Sequence, residues 1–181
     1  IPSIYLGSGV LFLPADQKTL AVEAVNLKNA AVSVTPITLG EMINLTLRHT
    51  PGQQMNLSDP ATTRSSPINA PADRYQMFDL PLTPTGDALS TGLYWLDLGS
   101  PELGENAGFV HPVALAVSNV HLTLKRSATQ VTVWATDLTT NTPIPNLNVQ
   151  LWDYNVQNLG YAVTDAQGIA KWDVPVTSAI D

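Results

Sequence analysis

Along this chain apolar residues return at every second position far more regularly than at every third or fourth. Leu147, Val149 and Leu151 alternate with Asn148, Gln150 and Trp152, the period of a strand that buries one face. Val131, Val133 and Ala135 alternate in the same way with Thr132, Trp134 and Thr136. Further strands are predicted at residues 10–13, 20–27, 31–37, 77–82, 92–98, 159–163 and 169–174, with one or two more inside 114–125. Nowhere does a period near 3.6 persist for the three turns of an ordinary helix. The segment 39–49, LGEMINLTLRH, fits two patterns: Ile43, Leu45 and Leu47 alternate, while Leu39, Met42, Ile43 and Leu47 suit a short helix. It is read as a strand.

Turn chemistry separates the runs. Between the two clearest strands, LTTNTPIPN carries Pro143 and Pro145, which cannot donate to a ladder and so belong in a connection. The stretch from Thr136 to Asp153 is therefore expected to be a proline-stiffened joint rather than a ligand loop. In TDAQGIAKW, Asp165 and Gly168 bracket a tight turn. Residues 50–75, rich in Pro, Ser, Thr and Asn without periodicity, are expected to form a long surface loop. Glycine and polar residues at 103–112 separate two strand systems, which predicts domains at 1–110 and 111–181. The fold class is all-β, two consecutive antiparallel β-sandwich domains.

Composition narrows the possible partners. With 181 residues, 44% hydrophobic and 13% charged, the chain can bury a core and is not a disordered tail. A net charge of −7 with only 8 Lys and Arg lacks the basic footprint of a nucleic-acid binder. The absence of cysteine excludes disulfides, thiolate metal sites and a thioester within these residues, and leaves the compartment open. No apolar run approaches the ~20 residues of a membrane-spanning helix. Ile1 begins without methionine or a basic leader, so the sequence reads as a piece of something longer.

Candidate chemistry is sparse. His49, His111 and His121 sit in separate segments without metal-ligand spacing, and no metal or cofactor is expected. Gly7 to Gly9 lacks the frame of a nucleophile elbow and reads as a turn. Asp153, Asp165 and Asp173 each fall where a turn or strand end favours aspartate. These patterns predict that the chain is not an enzyme. Asn44-Leu45-Thr46 and Asn56-Leu57-Ser58 match the glycosylation sequon. Trp134 and Trp152 lie opposite the aliphatic residues of their strands, which predicts an exposed aromatic pair on neighbouring strands, suited to an interdomain or partner contact. Trp172 is expected in the core.

The segment VTVWATDLTTNTPIPNLNVQLWD, followed by YAVTDAQGIAKW, resembles a macroglobulin domain from the N-terminal half of bacterial alpha-2-macroglobulin-like proteins. A strand, an Asp-x-x-Thr turn, a Pro-rich step and a T-D-x-x-G hairpin follow one another there in this order. Upstream, LAVEAVNLKNAAVSVTPI resembles the strand, Val-Asn step and strand of a preceding macroglobulin domain, and LPLTPTGDALSTGLYWLDL resembles its closing strand.

The resemblance implies two structural domains of a large periplasmic or secreted bacterial protease inhibitor. In such a trap a protease cuts a bait segment and the molecule collapses around it, often with covalent capture by a thioester. Bait and thioester lie outside this chain, and its partners would be the neighbouring macroglobulin domains. The second domain is shorter than the roughly 100 residues of a seven-strand sandwich. It is therefore expected to be incomplete after Asp181, with an open strand position that invites self-association. Two alternatives stand beside this: an Ig-like stalk or adhesin module, and a carbohydrate-binding β-sandwich using Trp134 and Trp152.

Overall fold

The computed structural model describes residues 1–7, 9–48, 63–103, 113–153 and 157–173. The chain divides into two compact units, Ile1–Ser118 and Asn119–Asp181.

The first unit contains β1 (Ser3–Tyr5), β2 (Val10–Leu13), β3 (Thr19–Val25), β4 (Asn29–Pro36), α1 (Leu39–Arg48), β5 (Arg64–Pro67), β6 (Gln76–Pro81), β7 (Gly92–Gly99), a 3-10 turn at Pro101–Leu103, and β8 (Val113–Val117). One sheet has the order β1-β3-β6 and the other β2-β8-β7-β4-β5. Their facing sides supply one core, which includes Ile4, Val22, Leu27, Val32, Leu80, Leu96, Leu98 and Leu115. All pairings are antiparallel except that of β2 with β8. Strand β8 is buried at every residue. Val113, Leu115 and Val117 face the core, while Ala114 and Ala116 alternate onto the other face of the sheet, where α1 packs against β7 and β8. Small side chains there give the helix room to approach.

Residues 39–48 are helical, not extended as the alternation of Ile43, Leu45 and Leu47 suggested. A capping box decides it. The backbone N–H of Glu41 donates to Thr38 Oγ1 (3.2 Å), and Glu41 Oε2 accepts from the backbone N–H of Thr38 (2.7 Å) and from its hydroxyl (2.8 Å).

The expected loop at 50–75 is also partly strand, and its first part, through residue 62, lies outside the described residues. Strand β5 pairs with β4, and Ile68 enters the core. This segment is fastened to the step where β3 passes to β4 in the other sheet. Ala70 N–H donates to Leu27 O (2.6 Å) and Ile68 N–H to Lys28 O (2.8 Å). Asn26, at φ 57, accepts through Oδ1 from the backbone N–H of Asp73 (2.9 Å). A composition that reads as a loop forms structure here because the step offers it backbone partners.

The second unit contains β9 (Val120–Arg126), β10 (Gln130–Asp137), β11 (Asn148–Trp152), β12 (Asn158–Val163) and β13 (Ile169–Asp173). One sheet has the order β13-β10-β9, the other is the pair β11-β12, and both pair antiparallel. Val131, Val133, Val149, Leu151, Ala170 and Trp172 form the core between them.

The residues expected at the domain boundary, 104–112, lie outside the described residues. The units divide at Ser118 and Asn119, beyond the expected 110/111, because β8 is a central strand of the first unit. Ser118 N–H still donates to Leu13 O (2.9 Å), whereas Asn119 O accepts from Leu138 N–H (2.7 Å) in the second unit. Truncating fully buried Leu115 to alanine is expected to cost about 2–5 kcal/mol. Amide hydrogen exchange should then lose protection across β2, β4 and β7 while β10 and β13 keep theirs. Equal loss in both units would contradict the division.

Candidate functional site

The joint between β10 and β11 carries a dense polar network, and it is built from chain that has no ladder of its own. Asp137 closes β10. Its Oδ1 accepts from the backbone N–H groups of Thr139 (2.8 Å) and Thr140 (2.9 Å) and from the Thr140 hydroxyl (3.2 Å). Its backbone N–H donates to Thr142 O (2.9 Å), and its carbonyl accepts from Asn141 N–H (2.8 Å). Asn141 adopts φ 56, a left-handed conformation that asparagine tolerates. The backbone N–H bonds of Thr140 and then Thr139 hold the Asp137 carboxyl below its ordinary pKa.

Beyond this turn the two prolines lay the chain against the 164–168 hairpin. Pro143 bridges to Thr136, and Ile144 N–H donates to Ala135 O (3.0 Å). Thr164 is 2% exposed and works in both directions: its hydroxyl donates to Ile144 O (2.6 Å) and accepts from Leu147 N–H (2.9 Å). Its backbone N–H donates to Leu147 O (3.0 Å), and its carbonyl accepts from Asn146 N–H (2.9 Å). Asp165 shapes the tip by accepting from Gln167 N–H and Ile169 N–H, both at 2.9 Å. Gly168, at φ 74, accepts through its carbonyl from Ala135 N–H (2.8 Å). A Cβ there would stand 2.5 Å from Ala135 O and 3.1 Å from Ile144 N. The T-D-x-x-G hairpin is thus the clamp that holds the proline step.

Trp134 is exposed on β10, and its indole N–H donates to Gln167 O (3.1 Å), so it lies across the hairpin tip. Trp152 is half-buried at the end of β11, with its indole N–H on Gln150 Oε1 (3.2 Å). The structure does not bring the two tryptophans onto neighbouring strands. They stand in different sheets of the sandwich, so they do not form one aromatic platform. Trp172 is buried as expected, against Gly160, where an added Cβ would stand 3.2 Å from the ring.

The other candidates take structural roles. Asp153 Oδ1 accepts from Gln157 N–H (2.8 Å), and Asp173 Oδ1 accepts from Gln130 Nε2 (3.4 Å). His121 is exposed on β9, Asn44 is exposed on α1, and Gly9 adopts φ 94. His49, His111 and Asn56 lie outside the described residues. Among the described residues no three His, Asp or Glu side chains converge as a metal site, and no helix is long and apolar enough to cross a membrane. A shallow pocket of about 370 Å³ in the first unit is lined by Ala31, Arg64, Ser65, Gly99 and Ser100, among others. Its guanidinium donates to Pro81 O and is held below its ordinary pKa by burial.

Comparisons agree with the resemblance read from the sequence. Residues 117–180 match the family described as the bacterial alpha-2-macroglobulin MG3 domain. Among solved structures, the chain is similar to native alpha-2-macroglobulin from Escherichia coli spanning domains NIE-MG1. The TM-score is 0.76 at 19% identity, over 96% of this chain and 88% of that one. Against the E. coli fragment spanning MG0-NIE-MG1, the TM-score is 0.76 at 17% identity, over 98% of this chain and 59% of that one. Salmonella alpha-2-macroglobulin reacted with methylamine aligns at TM-score 0.66 and 16% identity over 96% of this chain, which spans 10% of its length. At these identities the likeness is one of fold, and it extends through both units. No curated protein sequence matches the chain.

Two outcomes test the clamp. Thr164→Val, which leaves Ile144 O and Leu147 N–H unpaired, should cost about 2–4 kcal/mol in urea unfolding. Gly168→Ala should be at least as damaging, and a loss under about 0.5 kcal/mol for either would remove the clamp from the account. Asp137 has a depressed folded pKa, so its contribution is present above the unfolded carboxylate value near ~4 and fades as pH falls through the folded value. The stability advantage of the wild type over Asp137→Asn should therefore be full at neutral pH and vanish in acid. A difference that stays constant across that range would contradict the assignment.

Proposed function

We propose that this chain is a structural domain pair of a large bacterial alpha-2-macroglobulin that inhibits proteases by conformational entrapment. The first unit corresponds to the NIE position and the second to the MG1 position. MG1 is the third domain in the order MG0-NIE-MG1, which agrees with the MG3 description matched by residues 117–180. The observation that supports the reading best is the continuous likeness of both units to the E. coli NIE-MG1 fragment. The residues themselves agree with it: the polar groups of the clamp are spent on backbone and orient strands, which is the chemistry of a frame. In this reading the chain is not an enzyme, binds no cofactor and acts in the periplasm or outside the cell. Its partners are neighbouring macroglobulin domains, with target proteases held by parts outside it. In the same reading Trp134 and Trp152 contact those neighbours, each from its own sheet.

The experiment is limited proteolysis of the full-length protein. Cleavage is expected to reduce its hydrodynamic radius and to leave the protease active on small peptides but blocked from large protein substrates. The isolated 181-residue chain should not inhibit at all. A full-length protein that stays extended and leaves large-substrate hydrolysis untouched would favour the stalk or adhesin reading instead.

A further inference from the structure

In the first unit the outer sides of the two sheets are finished differently. On the five-stranded sheet α1 packs against β7 and β8. On the sheet β1-β3-β6, Val22, Ala24 and Leu80 point into the core, so the residues that alternate with them point outward. Tyr5, Glu23 and Met77 form one row on that outer side, Tyr5 opposite Glu23 and Glu23 opposite Met77. Tyr75, two residues before Met77, continues the same side. Tyr5, Tyr75 and Met77 are 49%, 56% and 59% exposed, and Glu23 between Tyr5 and Met77 is half-buried. Aromatic and methionine side chains are the ones that interface cores collect.

The start of the chain leads to this same side. Asn26 Nδ2 donates to Ile1 O (3.3 Å) and to Asp73 Oδ1 (3.4 Å), and Asn26 Oδ1 accepts from Asp73 N–H (2.9 Å). One side chain thus gathers the fully exposed Ile1 and the turn that precedes Tyr75. Chain that comes before Ile1 therefore meets the first unit at the end of the sheet where Tyr75 stands. The present chain spans 88% of the E. coli NIE-MG1 fragment but 59% of the one that also carries MG0, so in that protein a domain stands before the NIE position. We infer that the outer face of β1-β3-β6 is the seat of the domain that precedes Ile1 in the full-length protein. The partner surface is apolar, with a lysine or arginine set against Glu23. A docked surface strips water from that carboxylate, which is costly unless an opposite charge takes its place. Linkage through Ile1 makes the contact intramolecular, so three anchors suffice where free domains would stay apart. This inference rests on the domain-pair reading and adds the surface on which one neighbour sits.

Met77 reports the contact without any substitution, because peroxide converts an accessible thioether to the sulfoxide. Its oxidation rate, read by mass spectrometry, is compared in the 181-residue chain, in the full-length protein and in a full-length protein shortened to begin at Ile1. An undocked population of about 10% or less slows oxidation in the full-length protein about tenfold or more relative to the 181-residue chain, and shortening should restore the faster rate. Half-buried Met42 on α1 should oxidise at one rate in both long forms, as it does when the first unit stays folded. Glu23→Lys in the full-length protein, a surface exchange that leaves the chain whole, should also speed oxidation of Met77. Equal rates at Met77 in all three forms mean that the face is open, and they overturn the inference. Protection that survives shortening assigns the cover to another part and overturns it too, as does a rate unmoved by Glu23→Lys. None of these outcomes bears on trapping, which is decided by the change of hydrodynamic radius on cleavage.

Discussion

The second unit depends on one arrangement of hydrogen bonds, the exchange between Thr164 and the 144–147 backbone. A connection that crosses from one sheet to the other leaves its strand ladder behind, and its N–H and C=O groups must find partners or lose the free energy of hydration. Two prolines lower the number of donors to satisfy. A buried threonine then supplies one donor and one acceptor at the same point, and Gly168 lets the hairpin backbone come close enough to reach Ala135. The Ile144 carbonyl and the Leu147 N–H thus both find their partner in the Thr164 hydroxyl.

The first unit solves the same problem with different residues. Its crossing from β3 to β4 is held by Asn26, whose left-handed backbone turns the chain and whose side chain takes the N–H of Asp73. Residues 68–70 then occupy the carbonyls of Leu27 and Lys28. In both units a short polar residue at a sheet crossing replaces the ladder. Such crossings fix where strands lie.

Several local features were legible in the residues. The alternation in β10 and β11, the turn at 165–168 and the burial of Trp172 follow from period and turn chemistry. The helix α1 was legible too, but in the wrong signal: the pairing of Thr38 with Glu41 marks a helix start, while the apolar alternation that suggested a strand is an accident of Ile43, Leu45 and Leu47 falling two apart. The strand β5 was hidden because Arg64–Pro67 has no apolar period. It pairs through backbone that any sequence carries.

The sequence by itself determined an all-β chain in two parts, the proline joint and its T-D-x-x-G partner, because side-chain alternation and turn conformations are local properties of a few adjacent residues. Only the tertiary structure decided which sheet each strand joins. It assigned 113–117 to the first unit and set Trp134 and Trp152 in separate sheets. Those outcomes rest on pairings between residues far apart in the chain, and the period of a strand says which face is apolar without saying what lies opposite it.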